Sequence, residues 1–366
     1  MSDTKSQDRL VGPACRAGPC EIETLSTEGP ARQAGPTTIL LLLVGIWSPV
    51  AIASDAELLE ELKHVPNKIV YETYRENNWE LFLVNADGSD PVNLTNTTDV
   101  DELYPHASPD GSKICFVADE GQGASRVRNV YYMNVDGSDR KLVASNARQS
   151  FWNADGTAIA YLKGESDDFT YSSIATRGLF VYDLASGRHR QHPNKEISHL
   201  FGACWSPCGK WFVSTIHGGM GYRHAIVGIE ADGTGVFNLG IPGCRPEVSP
   251  DGKRIAWTPS DWALRVADLD LTGPQPAVTG GRDVVTSAKP TKVYHIDWPP
   301  DAKGKYVVFT RGPATKRLGQ APEGVGVRAE GWNICVADVT ATNRWVAITT
   351  DGNCNKEPDW VPVAAP

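Results

Sequence analysis

Eight residues of chemically useful type stand at two fixed distances ahead of a phrase that recurs along the chain. Tyr104, Arg245, His295 and Glu357 share one position, and His106, Glu247, Asp297 and Asp359 share the position two residues further on. Carboxylates brought together repel one another, and at least one pKa rises unless a cation sits among them. A hard divalent cation such as Ca2+ would want six to eight oxygens at about 2.4 Å. Without it, Arg245 and His295 can neutralise the acids in a polar, water-filled channel. That arrangement needs no cofactor and is the expected one. As an acid pair the same groups could act on a glycosidic bond, which requires carboxyl groups about 5–5.5 Å or about 6.5–9.5 Å apart.

The recurring phrase says what must position these residues. Ser108-Pro109-Asp110-Gly111 returns as Asn153-Ala154-Asp155-Gly156, Ser206-Pro207-Cys208-Gly209 and Ser249-Pro250-Asp251-Gly252, and loosely at Pro300-Asp301-Ala302-Lys303-Gly304. A repeat of roughly 40–50 residues with several short strands per unit indicates a β-propeller. Each unit reads as four strands: A before the phrase, B after it, C before an Asp-Gly turn such as Asp136-Gly137, and D after that turn. Gly accepts positive φ without penalty, so these turns suit hairpins. A strands near residues 104, 149, 202, 245 and 295 give five complete units. A sixth is split: Lys68–Tyr71 is a B strand without an A strand, and Glu357–Trp360 is an A strand with nothing after it. The fold expected is all-β, a six-bladed propeller of four-stranded antiparallel blades closed by pairing of its terminal strands, which removes exposed edges.

Side chains alternate faces along a strand. The positions of Trp152, Trp205, Trp298 and Trp360 in the A strands should therefore pack between blades. The eight residues named above should then face the channel, at two levels. Tight A–B and C–D turns fall on one face of the disc. The longer connections, at 120–128, 164–177, 217–224, 273–292 and 312–331, fall on the other, which reads as a binding surface.

The segments around Tyr104–Gly111, Ala203–Lys210 and Arg245–Lys253 resemble the repeat of TolB-type propellers, in which Trp-Ser-Pro-Asp-Gly-Lys leads into an apolar strand. The resemblance covers about residues 68–361. It implies a propeller of the bacterial cell envelope, with a protein or peptide as partner.

The net charge of −9 argues against a nucleic-acid partner. Residues 1–37 lack periodicity and read as a disordered leader. The apolar run Ile39–Trp47 ends in Ala51-Ile52-Ala53, as a secretory signal does. It is too short for a spanning helix, which needs about 20 apolar residues. The chain thus divides into a leader with signal at 1–54, a short helix and linker at 55–67 (helical over Ala56–Lys63), and the propeller at 68–366. A periplasmic or secreted monomer, not integral to the membrane once processed, is expected.

Cys115 and Cys335 lie in strand-like runs and read as small core residues, while pairing among the cysteines is left open. His217 and His224 flank a glycine-rich stretch and could bind a metal, although loop histidines are usually only solvated. Gly312–Gly331 lacks phosphate-loop spacing and reads as a mobile loop. No Gly-x-Ser-x-Gly nucleophile elbow occurs.

Overall fold

The computed structural model describes residues 49–301, 304–316 and 319–363. Their strands form six four-stranded antiparallel sheets arranged as the blades of a propeller, with A strands innermost and neighbouring A strands in contact around the ring. Blade 1 takes its A strand, Cys354–Val361, from the far end of the chain and its B, C and D strands from Lys68–Arg75, Asn78–Asn85 and Val92–Asn93. Ile69 lies opposite Trp360 and Val70 opposite Asp359 across this seam. The A strands of blades 2 to 6 are Asp101–Ala107, Ala147–Trp152, Leu200–Trp205, Cys244–Val248 and Thr291–Asp297.

The repeated phrase builds each A–B turn. Gly111, Gly156, Gly209 and Gly252 have φ near +70° and donate back to the first residue of the phrase at 2.8–3.1 Å. Asp110 and Asp251 accept from the Ser hydroxyl and from the amide two residues on. The Trp position packs between blades, as alternation requires. Trp152 donates its indole N–H to the carbonyl of His106 in blade 2, and Trp298 to that of Glu247 in blade 5.

Helix α1, Pro49–Leu62, begins before the expected Ala56. Proline is tolerated in a first helical turn, so Pro49 does not prevent the earlier start. Leu58 and Leu62 are fully buried against Ile69, Val84 and Ile348. Glu61 accepts from Arg344 and Lys305, both at 2.8 Å, and these bonds bring its pKa down to about 2. Residues 1–48, with most of the signal-like segment, lie outside the described residues.

Two connections differ from the expected loops. Residues 217–224 belong to one continuous hairpin, Trp211–Gly219 with Tyr222–Glu230, closed by Met220 (φ +49°) and Gly221 (φ +83°). Two residues of positive φ make a turn whose twist matches the strands, so no loop is needed. Within 273–292, residues Ala277–Thr286 form the D strand of blade 5. Gly280 and Gly281 are absorbed as a bulge rather than ending the strand.

Candidate functional site

The channel is organised by a device repeated in every blade. Tyr104, Gln149, Gly202, Arg245, His295 and Glu357 all have φ between +47° and +58°, and the A–B pairing slips there in each blade. Each A strand thus carries a bulge at its channel-facing position. Left-handed backbone in a non-glycine residue costs about 1 kcal/mol or more, and the surroundings hold it. The freed amides are bonded across blades: Tyr104 N–H to Glu72, Gly202 N–H to Gln149 and Arg245 N–H to Thr215, at 2.8–2.9 Å. Strict alternation did not include this bulge.

The eight expected residues all border the channel, in two chambers. The upper chamber, of about 240 Å3, opens on the tight-turn face, and His106, Glu247, Asp297 and Asp359 line it. Its walls are Pro109, Pro207, Pro250, Pro300 and Pro362 with Phe151, Trp152, Trp205 and Trp360. His106 donates from Nδ1 to Asp359 at 2.6 Å, and the Ala107 amide donates to the other Asp359 oxygen at 3.1 Å. The Trp360 amide donates to Asp297 at 2.7 Å. Burial, and then the Asp359 and Glu247 charges, push Asp297 well above the usual carboxylate range. Burial pushes Glu247 up to about 8, with the Asp359 charge adding to it and His106 opposing it. Burial works against a charged His106, but the Asp359 carboxylate outweighs it and the imidazole pKa is raised. Glu247, at about 8, is mostly protonated at neutral pH and can donate as well as accept. No group of three or more His, Cys, Asp or Glu among the described residues is placed to hold a metal ion.

The lower chamber, of about 30 Å3, is bordered by Tyr104, Arg245, His295 and Glu357, and is closed beneath by the 319–331 segment. That segment is tied to the channel by hydrogen bonds. Arg245 reaches both Glu357 oxygens at 2.9 and 3.1 Å and the Glu323 carbonyl at 3.2 Å. His295 donates from Nε2 to the same carbonyl at 2.9 Å, and burial together with the Arg245 charge holds its pKa well below the usual value. Lys356, fully buried, donates to the carbonyls of Gly324 at 2.5 Å, Val327 at 2.9 Å and Pro322 at 3.4 Å. Lys292 holds the Glu323 carboxylate at 2.9 and 3.0 Å. The segment plugs the loop-bearing end of the channel. Glu72, Lys356, Lys292 and Glu323 were not anticipated. Only Glu72 offered a signal, a charged residue directly after the apolar run Ile69–Tyr71.

The raised carboxylates fix a pH dependence. A group such as Glu247 contributes stability that is fully present below its ordinary pKa of 4.5 and lost as pH rises through about 8. Glu247→Gln is neutral throughout and escapes that loss. It is expected to melt several degrees above wild type at pH 9 and no higher at pH 4.5. An equal difference at both pH values would refute this.

A ring of six blades closed by its own terminal strand, with a channel open at one end, defines a closed six-bladed propeller. More particularly, the protein is a TolB-like propeller in fold. TolB from Acinetobacter baumannii superposes with a TM-score of 0.58 at 19% identity, over 86% of this chain and 72% of that one. A chain of a nidogen/laminin complex gives 0.54 at 8% identity, over 81% and 98%. Dipeptidyl-peptidase 5 of Porphyromonas gingivalis is 27% identical over 285 residues, which is 64% of this chain and 41% of that protein. The chain thus spans about two fifths of the length of that curated relative. No protein-family model matches the chain.

Proposed function

We propose that this protein is a non-catalytic propeller of the bacterial cell envelope, exported and monomeric, that takes a short segment of a protein partner into its open channel mouth. The loop-bearing face is a second contact surface. The mouth itself carries the reading. Five prolines and four aromatic rings make a rigid apolar funnel over a few convergent polar groups, which is the composition of a specific binding site. Rigid walls reduce the ordering cost of binding. The floor acids are committed to the fold: both Asp359 oxygens and one of Asp297 already accept hydrogen bonds. No helix among the described residues is long and apolar enough to cross a membrane. The described α1 contacts, from Leu58, Glu61 and Leu62, all follow the signal-like segment.

One observation favours the alternative, a carbohydrate-active lyase or hydrolase. Glu247, with its pKa near 8, would be protonated at neutral pH as a general acid must be.

The test is selection of peptides from a displayed library on the purified protein. Calorimetry then compares wild type with Ala154→Trp, a change at an exposed rim residue of the mouth. The selected peptides are expected to bind wild type, and the variant at least tenfold more weakly with an unchanged Tm. Equal binding to both, or turnover of a polysaccharide panel that Glu247→Gln abolishes, would overturn the reading.

A further inference from the structure

The blade 4 hairpin carries a pair of histidines that the channel does not use. His217 on the B strand and His224 on the C strand are direct cross-strand partners. Their rings lie 5.2 Å apart at 69°, with Nδ1 3.0 Å from Nδ1. Both residues are exposed at the loop-bearing end of the blade.

The hydrogen bonds fix which nitrogens are available. His224 Nε2 lies 2.8 Å from the Gly243 carbonyl. A carbonyl only accepts, so Nε2 carries the proton, and in neutral imidazole Nδ1 is then a free lone pair. Ligating histidines are typically oriented by such a second bond to a carbonyl. His217 must therefore donate from Nδ1 to His224 Nδ1 in the metal-free protein. Moving that proton to Nε2 of His217 exposes a second lone pair beside the first, with no proton released.

We propose that His217 and His224 form a bidentate site for a tetragonal divalent transition metal, Cu2+ above all, on the loop-bearing face. Metal–imidazole bonds are about 2.0–2.1 Å long. Two nitrogens 3.0 Å apart then subtend about 94° at the metal, close to the right angle between neighbouring positions of the tetragonal N,O geometry of Cu2+ and Ni2+. The affinity order places Cu2+ above both Ni2+ and Zn2+. The hairpin is already set for this by its two-residue turn and by the His217 amide bond to the His199 carbonyl at 3.1 Å. His199 is not a third ligand: its Nδ1 lies 2.9 Å from the Gly218 carbonyl and its Nε2 3.0 Å from Glu165. Water completes the coordination, and a partner docking on this face could replace it with further ligands.

The experiment uses tag-free full-length protein stripped with chelator, titrated calorimetrically with Cu2+ and in parallel with Ni2+. Nitrogen hyperfine structure in the Cu2+ electron paramagnetic resonance spectrum counts the ligands. One equivalent bound, two equatorial nitrogens, and a raised Tm are expected, since a ligand that binds only the folded state stabilises it. His217→Gln and His224→Gln should each weaken that equivalent at least tenfold while leaving the metal-free Tm unchanged. Ni2+, a poorer thiol oxidant, guards against reaction at the exposed Cys208. No binding by wild type at 100-fold excess of either metal overturns the proposal. So does an equivalent that survives in both variants.

Discussion

Removing residues 354–366 is expected to abolish the cooperative thermal transition, or to lower its midpoint by more than 20 °C on the scale set by losing several core side chains at once. The cause is the position of Cys354–Val361. All eight residues are buried, and the strand pairs along the B strand of blade 1 while touching blades 2 and 6. Its loss takes away Trp360 and Val361 from the core, the Lys356 anchor of the plug, the Glu357 partner of Arg245, and the Asp359 partner of His106. Each large apolar side chain alone is worth about 1.5–3 kcal/mol, against a total stability of about 5–15 kcal/mol. What remains is an open ring with an exposed edge, prone to pair with other chains. Circular dichroism melts with gel filtration would check this. A monomer melting within a few degrees of the full chain would show that the seam does not hold the ring.

Lys356→Met is expected to cost about 3–5 kcal/mol, the usual penalty for breaking a buried pair from one side. Three plug carbonyls lose their donor. Glu72, whose Oε1 has no hydrogen-bond partner and lies 3.7 Å from the ammonium, loses its counter-charge. Burial already lifts Glu72 to about 7. Its stabilising contribution is therefore full below 4.5 and fades as pH rises through 7. Without Lys356 its ionisation becomes harder still, so the penalty should be larger at pH 8 than at pH 5. Adding Glu72→Gln should recover part of the pH 8 loss. Denaturant melts at both pH values measure this. A penalty under 1 kcal/mol, or one independent of pH, would mean the plug is held by packing of Val325, Val327 and Ala329 alone.

The blades were legible because their turns need particular residues. Gly111 and its equivalents mark a positive φ, and the orphan strands at Lys68 and Glu357 could only complete one another. The eight channel residues were legible from their offset to that turn. The bulge was not, because nothing about Tyr104 or His295 as residue types announces a left-handed backbone. The plug was hidden for a related reason. Residues 319–331 have no periodicity, and Lys356, Arg245, His295 and Lys292 on distant strands hold them through Pro322, Glu323, Gly324 and Val327. Lysine is also the residue type least expected to be fully buried, so Lys356 gave no hint of an inward role. The histidine pair was misread as belonging to a loop because Gly218, Gly219 and Gly221 look like a break, whereas only Met220 and Gly221 turn the chain. The cysteines read as core residues, Cys115 and Cys335, are buried, and all six described cysteines are free.

The plug makes the channel a cup rather than a tube. A long polymer cannot be threaded through it and advanced step by step. Whatever enters must leave by the same rim, so under the proposed binding role a partner can present a chain end or a protruding hook but not a passing middle. Release then depends on backing out of the cup, and a tethered partner whose tip has slipped free remains beside the rim to re-enter.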